Sequence, residues 1–179
     1  MKDKQRLKKI YPKTMNLKAV ISDPRVMGII KECGGKMYMA EKRWAQALEE
    51  LYESFQYYSD SGNFQAKNIL IYVILAGMLC SSEMNHADTR EAKVYKDDKQ
   101  VKAISDLRSA FENNDIKQIQ NILKDKNNEI FRDHEFAQYL DDLLRNIRLK
   151  VLQKKVEPYR SVSLEFLAKE INIEVRDVR

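Results

Sequence analysis

Glycine and proline are scarce, five and three in 179 residues. So few chain breakers exclude a collagen-like or proline-rich chain and leave little material for the tight turns of an all-β fold. Cysteine is limited to Cys33 and Cys80. That is too few for a disulfide scaffold; each sits in an apolar helical pattern and reads as a buried free thiol of a reducing compartment. The two histidines, His86 and His134, lie far apart with no other His or Cys at metal-ligand spacing, so no metal site is expected. Long hydrophobic runs are missing too. The longest, Ile69 to Cys80, has 12 residues, short of the ~20 that span a bilayer, so a buried core helix is expected rather than a membrane segment. Met1 to Lys18 is basic and lacks the apolar centre of a cleavable signal.

Acidic residues are nearly absent from that same N-terminal stretch. Lys2, Lys4, Arg6, Lys8, Lys9, Lys13 and Lys18 against Asp3 make it +6, whereas the whole chain is +5, so the body is close to neutral. The basic end is read as a solvated helix face, with an acidic partner as the alternative. Catalytic signatures are also lacking. There is no nucleophile elbow and no Walker loop, and Gly34-Gly35 follows no strand. The acidic pairs Asp97-Asp98 and Asp141-Asp142 fall where helices begin or on polar faces. No catalytic residue, no cofactor and no metal ligand is assigned, and the chain is not expected to be an enzyme.

What is present is helical periodicity. Residues 4–21 read as a helix with Leu7, Tyr11 and Leu17 inward, interrupted at Pro12. Asp23-Pro24 opens a helix running to about Met39, with Val26, Met27, Ile30, Cys33 and Tyr38 as its apolar set. Glu41 to Tyr58 carries Trp44, Ala47, Leu48, Leu51, Phe55 and Tyr58 on one stripe. The pair resembles one degenerate tetratricopeptide repeat: Gly35, Tyr38 and Ala47 match its small, tyrosine and alanine positions, with Lys31 in place of tryptophan. On that pattern Ala47 should approach Gly35 closely. Asn63 to Ser81 is apolar nearly all round and should be central. Ser82 to Lys96 reads as the longest loop, Asp97 to Asn113 as an amphipathic helix, and Asn114-Asp115 as the cap of a short helix bearing Ile116, Ile119, Ile122 and Leu123. Stacked helix pairs of this kind make a solenoid.

The stretch Asp133 to Arg179 organises the rest. Leu140, Leu143, Leu144, Ile147 and Val151 project onto one stripe of a long helix, and Leu149, Leu152, Val156 and Tyr159 onto another, so this helix should connect two bodies. Arg145, Arg148, Lys150, Lys154 and Lys155 lie mostly between the stripes and read as a solvated face. After Pro158, Arg160 to Ser163 suits an edge strand at most. Ser163 caps Leu164 to Ile171, Asn172 ends it, and Val175 and Val178 open another helix. The pattern is that of a helix-turn-helix, and it stops at Arg179 before any β-wing. The expected fold is therefore all-α: a tetratricopeptide-like helical-repeat part over 1–132, a connector helix over 133–159, and the start of a winged helix over 160–179, truncated before the wing.

A helical solenoid running through a long connector into a winged helix resembles a PCI domain, the module shared by the proteasome lid, the COP9 signalosome and the third eukaryotic translation initiation factor. Met27-Gly28-Ile29-Ile30-Lys31-Glu32-Cys33-Gly34-Gly35-Lys36-Met37 is similar to the subunit 2 family of the signalosome. So are Glu91-Ala92-Lys93, Tyr95-Lys96, Asn113-Asn114-Asp115-Ile116, Leu143-Leu144-Arg145-Asn146-Ile147-Arg148 and Glu157-Pro158-Tyr159. The resemblance implies a non-catalytic scaffold subunit, present in cytoplasm and nucleus, that supports removal of Nedd8 from cullins. Its implied partners are other PCI-containing signalosome subunits and cullin-RING ligases, with no membrane and no nucleic acid. The N-terminal superhelix through which that family clamps its ligase has no counterpart before Met1. Arg160 and Val162 are the candidate subunit-contact residues, on the first edge strand of the winged helix. Alternatives are the paralogous proteasome regulatory-lid subunit, or a nucleic-acid-binding winged helix reading bases through Arg176 and Arg179. Glu174 and Asp177 leave that last segment neutral, against the nucleic-acid reading.

Overall fold

In a computed structural model of the protein, residues 6, 9–14, 23–82, 84, 86–125, 131 and 134–156 are described. Among them every regular element is helical and no strand occurs. The chain divides into two compact units, Met1–Ser105 and Asp106–Arg179.

The first unit is built on a helical hairpin. Residues 9–14 are helical with Pro12 inside the stretch rather than at a break, and of the expected inward set only Tyr11 lies within the described residues. Helix α1 (Pro24–Ala40) starts where Asp23 accepts a hydrogen bond from the Arg25 amide, with Pro24 in the first turn. Helix α2 (Trp44–Asp60) begins three residues later than the periodicity of Glu41 to Tyr58 implied. The reversal takes those residues: Lys42 is left-handed at φ 60° and the Arg43 amide bonds back to the Tyr38 carbonyl at 3.0 Å. Gly28 faces Tyr58 and Gly35 faces Leu51, a pairing that runs the two helices antiparallel.

The face that α1 turns to α2 is not its large apolar one. Val26 and Ile29 are exposed and Ile30 and Cys33 half-buried, whereas Met27, Gly28, Lys31, Gly34 and Gly35 are buried. Closest approach runs through the glycines, so the stripe is rotated from Val26 and Ile30 toward Gly28 and Gly35. A Cβ on Gly35 would stand 2.5 Å from Leu51 Cγ and 3.2 Å from the Leu51 amide nitrogen. The nearest atoms to that position all belong to Leu51, one turn along α2 from the Ala47 that the repeat pattern singled out. On α2, Ala47, Leu51, Phe55 and Tyr58 are buried as expected, together with Ser54, while Trp44 and Leu48 are half-buried.

Gly62, at φ 63°, turns the chain from α2 toward α3 (Ala66–Leu79). This helix is shorter than the expected Asn63 to Ser81 because the Asn63 side chain caps the Gln65 amide at 3.0 Å and Ser81 is left-handed. Ile69 to Ile71 and Val73 to Leu79 are all buried, so α3 is central, as its uniform hydrophobicity required. The expected loop from Ser82 to Lys96 instead contains a 3-10 turn, His86–Asp88, and a short helix α4 (Arg90–Lys93). Buried His86 and Ala92 pin it down, and the surrounding polar composition hid these two inward points. Helix α5 (Lys99–Glu112) is capped by Asp98, whose carboxylate accepts from the Gln100 amide at 2.9 Å and holds Lys67 at 3.1 Å.

Helix α5 runs across the boundary between the units. In the second unit, α6 (Ile116–Lys124) is capped by Asp115, which accepts from the Gln118 amide at 3.0 Å. Helix α7 (His134–Val156) buries Phe136, Tyr139, Leu140, Leu143, Ile147 and Val151. Each fully buried large apolar side chain of this stripe contributes about 1.5–3 kcal/mol to the stability of its unit.

Candidate interaction surfaces

The described residues hold no cluster of His, Cys, Asp and Glu able to bind a metal, and no helix among them is long and apolar enough to cross a membrane. His86 is buried with its ring edge-on to Tyr52, centroids 4.9 Å apart, which is a packing position. Burial, followed by the Glu32 charge, pushes the Cys33 thiol pKa up and away from nucleophilic reactivity. A polar groove of about 530 Å³ is lined by Glu53, Gln56, Tyr57, Asp60 and Glu91, with no nucleophile and base paired in it. Arg160 and Val162, like everything read as winged helix over 160–179, lie outside the described residues.

A polar knot crosses the hairpin. Lys31 is only 2% exposed, yet it keeps its charge. Burial alone would lower its pKa, but hydrogen bonds to Glu53 and Glu50, at 2.8 and 3.0 Å, with their negative charges, raise it above 10.5. The Tyr11 hydroxyl donates to the same Glu50 carboxylate, and burial together with that bond holds its proton far above the usual phenol range. Two further bonds close the hairpin: Tyr58 donates to Glu32 at 2.8 Å, and Ser54 donates to the Gly28 carbonyl at 2.8 Å. Burial and the Glu32 hydrogen bond likewise raise the Tyr58 pKa well above normal. Such a network binds α1, α2 and the helical residues 9–14 in one register, since any slip would leave a buried charge unpaired. The periodicity reading missed it. The available signal was a lysine at the tryptophan position of the repeat, with Glu50 and Glu53 three apart on the facing helix.

The second surface is on α7. Leu149 is 52% and Val156 38% exposed, with Leu152 half-buried and Tyr159 outside the described residues, while of the opposite stripe Leu140, Leu143, Ile147 and Val151 are buried and Leu144 is half-buried. Thus the two faces inferred for the connector are distinct: the first is buried in its unit, and the second presents apolar area. Of the basic residues read as a solvated face, Arg145 and Lys150 are exposed, with the Lys150 ammonium 5.4 Å from the Phe111 ring centre, whereas Arg148 departs from that reading: it is half-buried and its Nε is shielded from solvent.

Comparison with known proteins bears on what such surfaces serve. Residues 120–179 match the PCI domain family. Over 99% of its length the chain is 44% identical to COP9 signalosome complex subunit 2 of Dictyostelium discoideum, covering 39% of that protein. It is 37% identical over 99% of its length to the Drosophila melanogaster protein of the same name, covering 40% of it. A probable 26S proteasome regulatory subunit, rpn-6.2 of Caenorhabditis elegans, is 24% identical over 91% of the chain and is covered to 40%. The chain thus spans about two fifths of the length of the curated relatives it matches.

Proposed function

The chain belongs to the family of COP9 signalosome complex subunit 2, and on that premise we propose that it is a non-catalytic scaffold piece of a signalosome, supporting removal of Nedd8 from cullin-RING ubiquitin ligases by protein–protein contact. The observation that carries this reading is the extent of the similarity: 44% identity over 99% of the chain runs through both helical units, well beyond the PCI segment at 120–179. In this proposal residues 1–132 form a tetratricopeptide-like part with α1 and α2 as one repeat, 133–159 connect, and 160–179 begin a winged helix. Arg160 and Val162 then supply the edge that pairs with a neighbouring PCI subunit. Exposed Leu149 and Val156 give the connector apolar area to cover in the assembly. A subunit of this kind works in cytoplasm and nucleus.

A second reading, a scaffold subunit of the proteasome regulatory lid, draws on the 24% identity to rpn-6.2. Affinity capture of the tagged chain from native lysate, with mass spectrometry of what it retains, separates the two. Signalosome subunits and cullins are expected. Proteasome-lid subunits would transfer the chain to the rival complex, and ribonucleoproteins lost at high salt would favour the nucleic-acid alternative.

A further inference from the structure

The stretch between α4 and α5 folds on a three-residue repeat. The Tyr95 amide bonds to the Ala92 carbonyl at 3.0 Å, Lys96 to Lys93 at 3.2 Å and Asp98 to Tyr95 at 3.0 Å. Bonds of this span set side chains three apart over one another. The inward column is Ala92, Tyr95 and Asp98: Ala92 is buried, the Tyr95 ring meets Phe55 edge-on with centroids 6.3 Å apart, and Asp98 holds Lys67. The next column is therefore Lys93, Lys96 and Lys99, and all three are exposed. Arg90, earlier in α4, and Lys102, further along α5, keep the same spacing in the sequence and are exposed too. Among the described residues none of these five cations takes part in an ion pair, whereas Lys67 is occupied by Asp98. Lys99 also stands in the first turn of α5, which holds no acid. The helix dipole disfavours a cation there, so the stability of α5 does not account for it. The third column carries Glu91, Val94 and Asp97, all exposed, Val94 by 78%.

We propose that the ridge of Lys93, Lys96 and Lys99, with Val94 beside it, is a docking surface for an extended acidic segment of a partner protein. Three residues of 3-10 geometry rise about 6 Å. Alternate residues of an extended strand lie about 6.6 Å apart, so carboxylates at every second position of such a segment meet successive ammonium groups. Val94 offers it an apolar contact. The pattern of charge selects this partner over a nucleic acid. Glu91 and Asp97 flank the ridge, and Glu91 also lines the groove that carries Glu53 and Asp60. A uniformly charged phosphate backbone would meet those carboxylates, whereas a peptide places its charges singly. The one aromatic ring of the stretch, Tyr95, packs on Phe55 and is not offered to a base. The ridge lies within the first unit and is the same whichever complex the chain joins.

The test is zero-length carbodiimide cross-linking of the tagged full chain in native lysate, with the linked peptides identified by mass spectrometry. The reagent joins an amine only to a carboxylate in contact with it. Links from at least two of Lys93, Lys96 and Lys99 to one acidic segment of another protein are expected, and they should disappear at high salt. Exposed Lys117 and Lys124 serve as solvated controls. Replacing Lys93, Lys96 and Lys99 together by glutamine should lower recovery of that protein about tenfold at low salt, and replacing them by arginine should retain it. Circular dichroism of both variants should match wild type, because these side chains form no ion pair within the described chain. Links no more frequent than those of Lys117 and Lys124 and scattered over many proteins, or none at all, would overturn the proposal and leave a solvated ridge. Links to a second copy of the chain, or ultraviolet cross-links from the ridge to nucleic acid in place of protein links, would overturn the choice of partner.

Discussion

Replacing Lys31 with methionine keeps the length and apolar stem of the side chain and removes the ammonium that two carboxylates share. Taking one partner from a buried ion pair typically costs about 3–5 kcal/mol, because the other is left desolvated and unpaired. The two acids do not suffer equally. The Glu53 side chain is 41% exposed and open to water, whereas Glu50 is 17% exposed and keeps the Tyr11 hydroxyl as its hydrogen-bond donor among the described residues. The expected loss is therefore below the usual range, about 2–3 kcal/mol, read by urea unfolding followed by circular dichroism. A cycle with Glu50→Gln isolates the pair: the double variant should be more stable than the sum of the single losses, with a coupling of about 1–2 kcal/mol. The pH dependence has a fixed sign. Since the folded-state pKa is raised above 10.5, the stabilisation is fully present below that value and is lost as pH rises through the folded value. The gap between wild type and Lys31→Met should accordingly stay constant through neutral and mildly alkaline pH and narrow only in strong alkali. A loss under about 0.5 kcal/mol, or additive single and double variants, would refute the reasoning and reduce Glu50 and Glu53 to bystanders.

Gly35→Ala drives a methyl into Leu51 and its amide nitrogen; overpacking of about 1–3 kcal/mol outweighs the ~1 kcal/mol gain in helix propensity, and a lowered midpoint in the same urea assay checks it. Asp98 loses something to burial but more than recovers it from Lys67 and the Gln100 and Val101 amides, so its pKa lies below the ordinary 3.8. Its contribution is present above that value and is lost as pH falls through the lower folded one, so acid titration of Asp98→Asn should show a smaller acid-induced loss than wild type. On α7, Ile147→Ala should cost about 2–4 kcal/mol, whereas exposed Leu149→Ala should stay within about 0.5 kcal/mol. If Leu149→Ala were as costly as Ile147→Ala, the two faces of the connector would not be distinct.

Much of the architecture was legible in short-range pattern. Asp23, Asp98 and Asp115 stand where helices begin because a carboxylate two or three residues ahead of free amides is a local arrangement, complete within one turn. The uniform burial of α3 and the buried stripe of Leu140, Leu143, Ile147 and Val151 follow from period and hydrophobicity alone. The runs around Glu32 to Met37 and Leu143 to Arg148 likewise pointed to the family that the comparisons bear out. Exact helix ends were less legible, since Lys42 and Ser81 adopt left-handed backbone without being glycine.

The amino-acid sequence by itself determined the longer helices of the described residues, though not the short turn and helix over 86–93, and it determined where most of them are capped and which face of α7 goes inward, because each of these depends on residues within about two turns of one another. Only the tertiary structure decided that Lys31 is a buried cation, that Tyr11 fills the space over Gly34, that Leu51 opposes Gly35, and that His86 is a packing residue. Each of those depends on a partner tens of positions away, and burial makes a polar side chain favourable only when that distant partner arrives.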